Sequence, residues 1–112
     1  FINCKSLSRI LFSNESELFY IGNYAFAYTA ITEITFPPLV RKVGENLFTN
    51  CSELLNATFL SDTFFIDYNC FDGCLKLAEV SFPNARLIFK EGNPFEKASK
   101  DFKLNINDAV LI

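Results

Sequence analysis

The chain contains no histidine, no tryptophan and no methionine. Histidine is the commonest general base and a frequent metal ligand, so its absence removes the usual route to catalysis, and no enzyme is expected. There is no Gly-x-Gly-x-x-Gly and no Gly-Lys-Ser among only four glycines, which excludes the familiar phosphate loops. No apolar run approaches the roughly 20 residues that a membrane span needs, and no signal peptide is visible. A formal net charge of −3 and a pI near 4.9 argue against nucleic acid or an anionic membrane surface as the main partner. What is abundant is phenylalanine: 14 of 112 residues, in a chain that is 50% hydrophobic.

The phenylalanines recur in register. One column is Phe1, Phe26, Phe48, Phe71 and Phe95, at steps of 25, 22, 23 and 24 residues. A Cys-x-x-Leu element follows it as Cys4/Leu7, Cys51/Leu54 and Cys74/Leu77; the second copy is shortened, with Tyr28 and Thr29 leading to Ile31. Then come an apolar column (Ile10, Ile34, Ala57, Val80) and, two residues on, a second Phe column (Phe12, Phe36, Phe59, Phe82). Seven residues later stand Phe19 (or Ile21), Val43, Ile66 and Phe89. A repeat of this length cannot bury its own apolar face, so neighbouring copies must stack into a continuous core. The repeats divide as 1–20 (partial), 21–42, 43–65, 66–89 and 90–112 (degenerate), about four to five copies in one domain. The last copy carries Pro94 at the small-residue position and Ala98 at the Cys position, with Lys97, Lys100 and Lys103 added; it is either a polar capping rung or ordinary drift. The chain opens inside a repeat without Met, which suggests a fragment of a longer array.

Residues 8–12, 32–36, 55–59 and 78–82 alternate apolar and polar, so each copy is expected to hold one short strand with one buried face. Pro37, Pro38 and Pro83 end two of them. The polar run around the first Phe column reads as a single helical or 3₁₀ turn. The strands should line up as a parallel sheet, with stacked rungs roughly 4.8 Å apart.

These residues resemble the BspA-like, treponemal-type leucine-rich repeat, whose unit runs Ile-Gly-x-x-Ala-Phe-x-x-Cys-x-x-Leu-x-x-Ile-x-Ile-Pro. Residues 21–37 match almost throughout; 43–59 and 66–83 match with Leu47 and Cys70 for Ala and Ala57 for Ile, and Leu60 stands where Pro would be. The resemblance implies a right-handed leucine-rich-repeat solenoid of the α/β type. It also implies a cell-surface or secreted setting and a role in protein binding or adhesion, with a host surface or matrix protein as the kind of partner. It implies no cofactor. A structural spacer or intracellular scaffold repeat is the rival reading.

Side chains between the inward strand residues point outward. The first outward column is Arg9, Glu33, Asn56, Glu79 and Lys103; the second is Leu11, Thr35, Thr58, Ser81 and Asn105. Of these, Arg9, Glu33, Thr35, Asn56, Thr58, Glu79, Ser81 and Lys103 form the candidate protein-binding face. Stacked Thr and Ser also stabilise a sheet by cross-strand pairing, so the same columns have a bland reading. Asn14, Asn50 and Asn56 head Asn-x-Ser/Thr sequons and are candidate glycosylation sites, and a glycan on Asn56 would obstruct that face. Cys70-x-x-x-Cys74 lies within loose zinc spacing but lacks a second pair; a column of buried thiols acting as small apolar side chains explains the cysteines better, and no metal is expected. Asp72 and Glu79 fall on a turn and a strand, with no reason to converge. Gly22 and Gly44 share one repeat position, read as a tight bend.

Overall fold

The computed structural model describes residues 1–13, 15–67, 69–92, 94–95, 101–106 and 110–112. The sequon residue Asn14 lies outside them, as do Lys97, Ala98 and Lys100 of the last copy. The chain coils between two parallel sheets. One contains β1 (Tyr20–Ile21), β3 (Lys42–Val43), β5 (Thr63–Ile66), β7 (Leu87–Lys90) and β9 (Val110–Leu111), paired in that order. The other contains β2 (Glu33–Phe36), β4 (Asn56–Phe59), β6 (Glu79–Phe82) and β8 (Lys103–Ile106). Every pairing is parallel, and each strand pairs with its counterpart in the next copy, which makes a β-solenoid.

The expected one strand per repeat is therefore two. Two of these second strands, β1 and β3, hold two residues each, too few for alternation to show, while β5 and β7 hold four each in stretches whose spacing reads only as one apolar column position. The expected helical or 3₁₀ turn is also replaced. Among the described residues there is no helix, and the segment around the first Phe column forms a third side made of turns. Some of its amides close single turns, as Ala27 to Tyr24 O at 3.1 Å and Cys51 to Phe48 O at 3.0 Å, and others reach the neighbouring copy: Tyr24, Phe26 and Tyr28 donate to the carbonyls of Glu45, Leu47 and Thr49 at 2.9, 3.1 and 2.9 Å, and Phe48 and Asn50 donate to Cys70 and Asp72 at 2.9 and 2.8 Å. Left-handed residues punctuate each turn. Asn3, Tyr28, Asn50 and Gly73 occupy one column two residues after the Phe, all with positive φ, and a left-handed residue ends a helical run.

The two Phe columns stack as expected. Phe26, Phe48 and Phe71 follow one another at ring-centroid distances of 6.0 and 5.5 Å, and Phe36, Phe59 and Phe82 at 5.0 and 5.0 Å, close to the strand spacing of a sheet. Phe64 of β5 packs on two members of the second column, 4.3 Å from Phe59 and 5.5 Å from Phe82. These rings, with Leu47, Leu54, Val80 and Ile88, form the buried core.

Three further expectations change. Residues 8–12 form no strand; Phe12 still packs on Phe36 at 5.5 Å, but past the 3.4 Å bond from Thr32 N–H to Ser8 O no ladder joins them to β2. Phe19 is exposed, and it is Ile21 that pairs with Val43. Phe89 does not continue the Val43–Ile66 column, because Ile66 pairs with Lys90 and Phe89 with Phe65. The copy that begins after Phe82 holds one extra residue, and a one-residue slip moves a side chain to the opposite face of a strand. Finally, Gly22 and Gly44 make no left-handed bend. Gly44 is small because Asn23 of the preceding copy lies against it, whereas Gly22 faces open space.

Candidate functional site

The outer face of the sheet β2-β4-β6-β8 carries the two outward columns in the expected register. Glu33, Asn56, Glu79 and Lys103 are aligned across four strands, and Thr35, Thr58 and Ser81 beside them, with Asn105 next to Ser81. Exposure is uneven. Glu33, Thr35, Asn56 and Lys103 are exposed, Thr58 and Glu79 are half-buried, and Ser81 is buried, its hydroxyl donating to Glu79 Oε1 at 3.0 Å. Ser81 is thus a positioning contact for Glu79 rather than an open surface residue. Arg9 and Leu11 stand beside β2 without pairing to it, and a groove of about 260 Å³ lies between residues 9–13 and β2, with Glu33 and Thr35 on its far wall.

The outer face of the other sheet is different in kind. Tyr20, Lys42, Phe65 and Phe89 follow one another across β1, β3, β5 and β7. Phe65 is 45% exposed and lies flat on Phe89, with ring centroids 4.7 Å apart and planes 11° from parallel. These residues line a groove of about 420 Å³. Spacing alone hides this surface, because it assigns Phe89 to a buried column; the extra residue after Phe82 is the signal that its face has flipped.

The cysteines separate into two kinds. Cys51, Cys70 and Cys74 are buried and Cys4 is exposed, so the expected column of buried thiols loses its first member. The Cys51 thiol donates to the Phe26 carbonyl at 3.0 Å and the Cys74 thiol to the Phe48 carbonyl at 3.1 Å, each reaching back to the preceding copy. Each bond ties one rung's turn to the next. Burial, first of all, and then the neighbouring Cys74 push the Cys70 thiol well above its ordinary value. Burial and the nearby Cys51 thiol do the same to Cys74, opposed by a hydrogen bond from the Cys51 backbone. Thiols held neutral in this way are poor nucleophiles and poor metal ligands. Among the described residues, no group of three or more His, Cys, Asp or Glu is placed to hold a metal ion. Asp72 lies in the turn side and Glu79 on β6, so no carboxylate pair is assembled from them.

The family described as BspA type Leucine rich repeat region matches residues 1–106, in six copies. The chain belongs to that family. No curated protein matches it, and no solved structure does. In this BspA-type repeat the Cys position of the second copy is filled by Thr29, three residues after Phe26, as Cys51 and Cys74 follow Phe48 and Phe71. Thr29 is buried, donates to Phe26 O at 2.8 Å and lies 3.5 Å from Cys51 Sγ. Counting from the Phe column, rather than searching for Cys, finds it. Of the sequons, Asn50 is exposed in the turn side with φ 56°, and Asn56 projects from the centre of the sheet, on β4 between Glu33 and Glu79. Among the described residues no helix is long and apolar enough to cross a membrane.

Proposed function

We propose that this BspA-type repeat is a protein-interaction module of a cell-surface or secreted protein, and that it engages its partner through the outer face of the sheet β2-β4-β6-β8. The observation that carries the reading is the register of that face. Four strands bring Glu33, Asn56, Glu79 and Lys103 into one row, whose residues differ from copy to copy, and Thr35 and Thr58 into the next, over the constant inward column Phe36, Phe59 and Phe82. Repeat proteins use such extended faces for binding. Arg9 extends the row beyond the groove, and Ser81 orients Glu79. Family membership supports a protein partner, and leucine-rich repeats are in general not enzymes. The setting at the cell surface, an adhesive role and a host or matrix protein as partner belong to the same proposal.

The test is binding to a panel of purified matrix and cell-surface proteins by biolayer interferometry. The double variant Thr35→Arg/Asn56→Arg changes two exposed residues of the face. Binding should weaken by at least about tenfold, with the unfolding midpoint unchanged. Binding unaffected by the double variant, or no binding to any of the panel, overturns the reading in favour of a spacer or scaffold role. Enzymatic attachment of a glycan at Asn56 should abolish the same binding, while one at Asn50 should not.

A further inference from the structure

We infer that the outer face of the sheet β2-β4-β6-β8 selects its protein partner by a fixed order of charges: an arginine seated over Asn56, with an acidic side chain about 10 Å away on either side. The inference rests on the reading of that face as the binding surface and adds the chemistry of the partner.

The register supplies the order. Glu33, Asn56, Glu79 and Lys103 stand on successive strands, and Arg9 lines the groove whose far wall carries Glu33. The row therefore reads positive, negative, neutral, negative, positive. Asn56 has a carboxylate residue one strand away on each side, at about 4.8 Å, and a cationic residue roughly twice as far on each side. A cation over Asn56 is drawn by the two near charges more than it is repelled by the two far ones. Arginine suits the seat, because its fork of N–H donors matches carboxylates, and the Asn56 side-chain oxygen adds an acceptor beneath it.

These charges are not used within the fold. Among the described residues the ion pairs are Arg41–Asp62 and Lys76–Glu53, and neither involves the row. The Ser81 hydroxyl fixes the Glu79 carboxylate at 3.0 Å. Neighbouring charges leave the order in place. Lys76 and Glu53 offset each other, and Asp101, in the turn before β8, weakens Lys103 without reversing its sign. The order also excludes a second copy as occupant. It reads the same from both ends, so two copies set face to face and centre to centre place like charge on like, whichever way the second one runs. Such juxtaposition opposes binding.

Two peptides test the order against net charge. Acetyl-Glu-Gly-Gly-Arg-Gly-Gly-Glu-amide carries the complementary order, and its three-residue steps span about 10 Å when extended. Acetyl-Arg-Gly-Gly-Glu-Gly-Gly-Arg-amide carries the opposite order and a net positive charge, which the chain's own charge of −3 would favour. Each is titrated to about 10 mM into the isotopically labelled chain, and NMR shifts are followed at the Asn56 amide groups. The first peptide should bind at least about threefold more tightly than the second. Exchanging the signs of the row with Arg9→Glu/Glu33→Lys/Glu79→Lys/Lys103→Glu leaves the net charge unchanged and should reverse the preference. The milder Glu33→Gln/Glu79→Gln should weaken the first peptide by at least about threefold. Equal binding of the two peptides, a preference for the second, or no response at Asn56 to either overturns the inference. So does binding of the first peptide that is indifferent to Glu33→Gln/Glu79→Gln. Such a result leaves the wider reading of the face standing, because Thr35→Arg/Asn56→Arg tests that reading against whole proteins. A panel without any binder, beside the expected peptide preference, overturns the wider reading alone.

Discussion

The motif Phe-x-x-Cys-x-x-Leu occurs at residues 1–7 and again at residues 48–54, with opposite consequences. Phe48 is fully buried between Phe26 and Phe71; Phe1 is 69% exposed and, among the described residues, stacks on Phe26 alone, at 6.0 Å. Cys51 is sealed and bonded to the preceding turn, whereas Cys4 is open. Residues 56–59 form a strand paired on both sides, whereas 9–12 form none. The motif is the same, so the difference lies in neighbours: a rung of this solenoid is ordered by what stacks on each of its sides, not by its own sequence.

The largest expected effect tests that contrast directly. Phe48→Ala should cost roughly 3–5 kcal/mol, the usual range for a buried Phe truncation. Phe1→Ala, at a ring stacked on one side, should cost less than about 1 kcal/mol. Urea midpoints of the two variants measure the difference, and equal losses would show that stacking on both sides is not what stabilises the ring.

The same neighbour rule explains how far the sequence can be read. Columns that face the core, such as Phe36–Phe59–Phe82, and the outward row Glu33–Asn56–Glu79–Lys103 follow from spacing alone, because within a four-residue strand inward and outward positions must alternate. The two-residue strands β1 and β3 carry no alternation to read; they exist because neighbouring copies supply the hydrogen-bond partners. Spacing misplaces Phe89 because the count from Phe82 crosses a corner, where the chain length is free to change by one. It leaves Ser81 open because the position is outward on its strand, while the burial comes from Glu79 and the strands on either side. The turn side resists reading for a different reason. Its local bonds, such as Ala27 N–H to Tyr24 O, close only single turns, and the bonds that order it run to the neighbouring copy, as from Tyr24 to Glu45, where no local pattern announces them.

Next in size is the pH dependence of the inner copies. Cys70 and Cys74 have folded-state values raised above the ordinary thiol value of 9.0, since burial disfavours the thiolate. The unfolded chain therefore loses these protons first as pH rises. Their contribution is fully present below about pH 9 and declines above it, by about 1.4 kcal/mol per thiol for each further pH unit. Comparing the chain with a Cys70→Ala/Cys74→Ala variant at pH 8 and pH 10 isolates the effect from other titrating groups. The variant should lose less stability between the two. Parallel losses would show that the thiolates are tolerated in the fold.

Two glycines sharpen the comparison further. Gly73 has φ +80°, and a Cβ there would fall on the Asn50 side chain of the preceding copy. Gly73→Ala should cost about 1–3 kcal/mol, from left-handed strain together with the displaced Asn50. Gly22 has neither positive φ nor any atom within 4 Å of an added Cβ, so Gly22→Ala should stay within about 0.5 kcal/mol of the parent. A large loss at Gly22 would mean that the outer turn is as tightly constrained as the inner ones.

The smallest energetic effect belongs to Cys4, and it is the easiest to see. Its side chain is exposed, so Cys4→Ser should shift the unfolding free energy by no more than about 0.5 kcal/mol. Chemistry separates it more sharply than energy does. A thiol reagent added to the folded chain should modify Cys4 at once, while Cys51, Cys70 and Cys74 react only as the solenoid opens, at a rate set by the population of the open form. With Cys4→Ser in place the fast phase should vanish and the slow phase persist. If the three inner thiols reacted together with Cys4, the bonds from Cys51 and Cys74 to the preceding turns would be too weak to hold adjacent rungs closed, and the neighbour rule drawn from Phe1 and Phe48 would apply to the rings but not to the turn side.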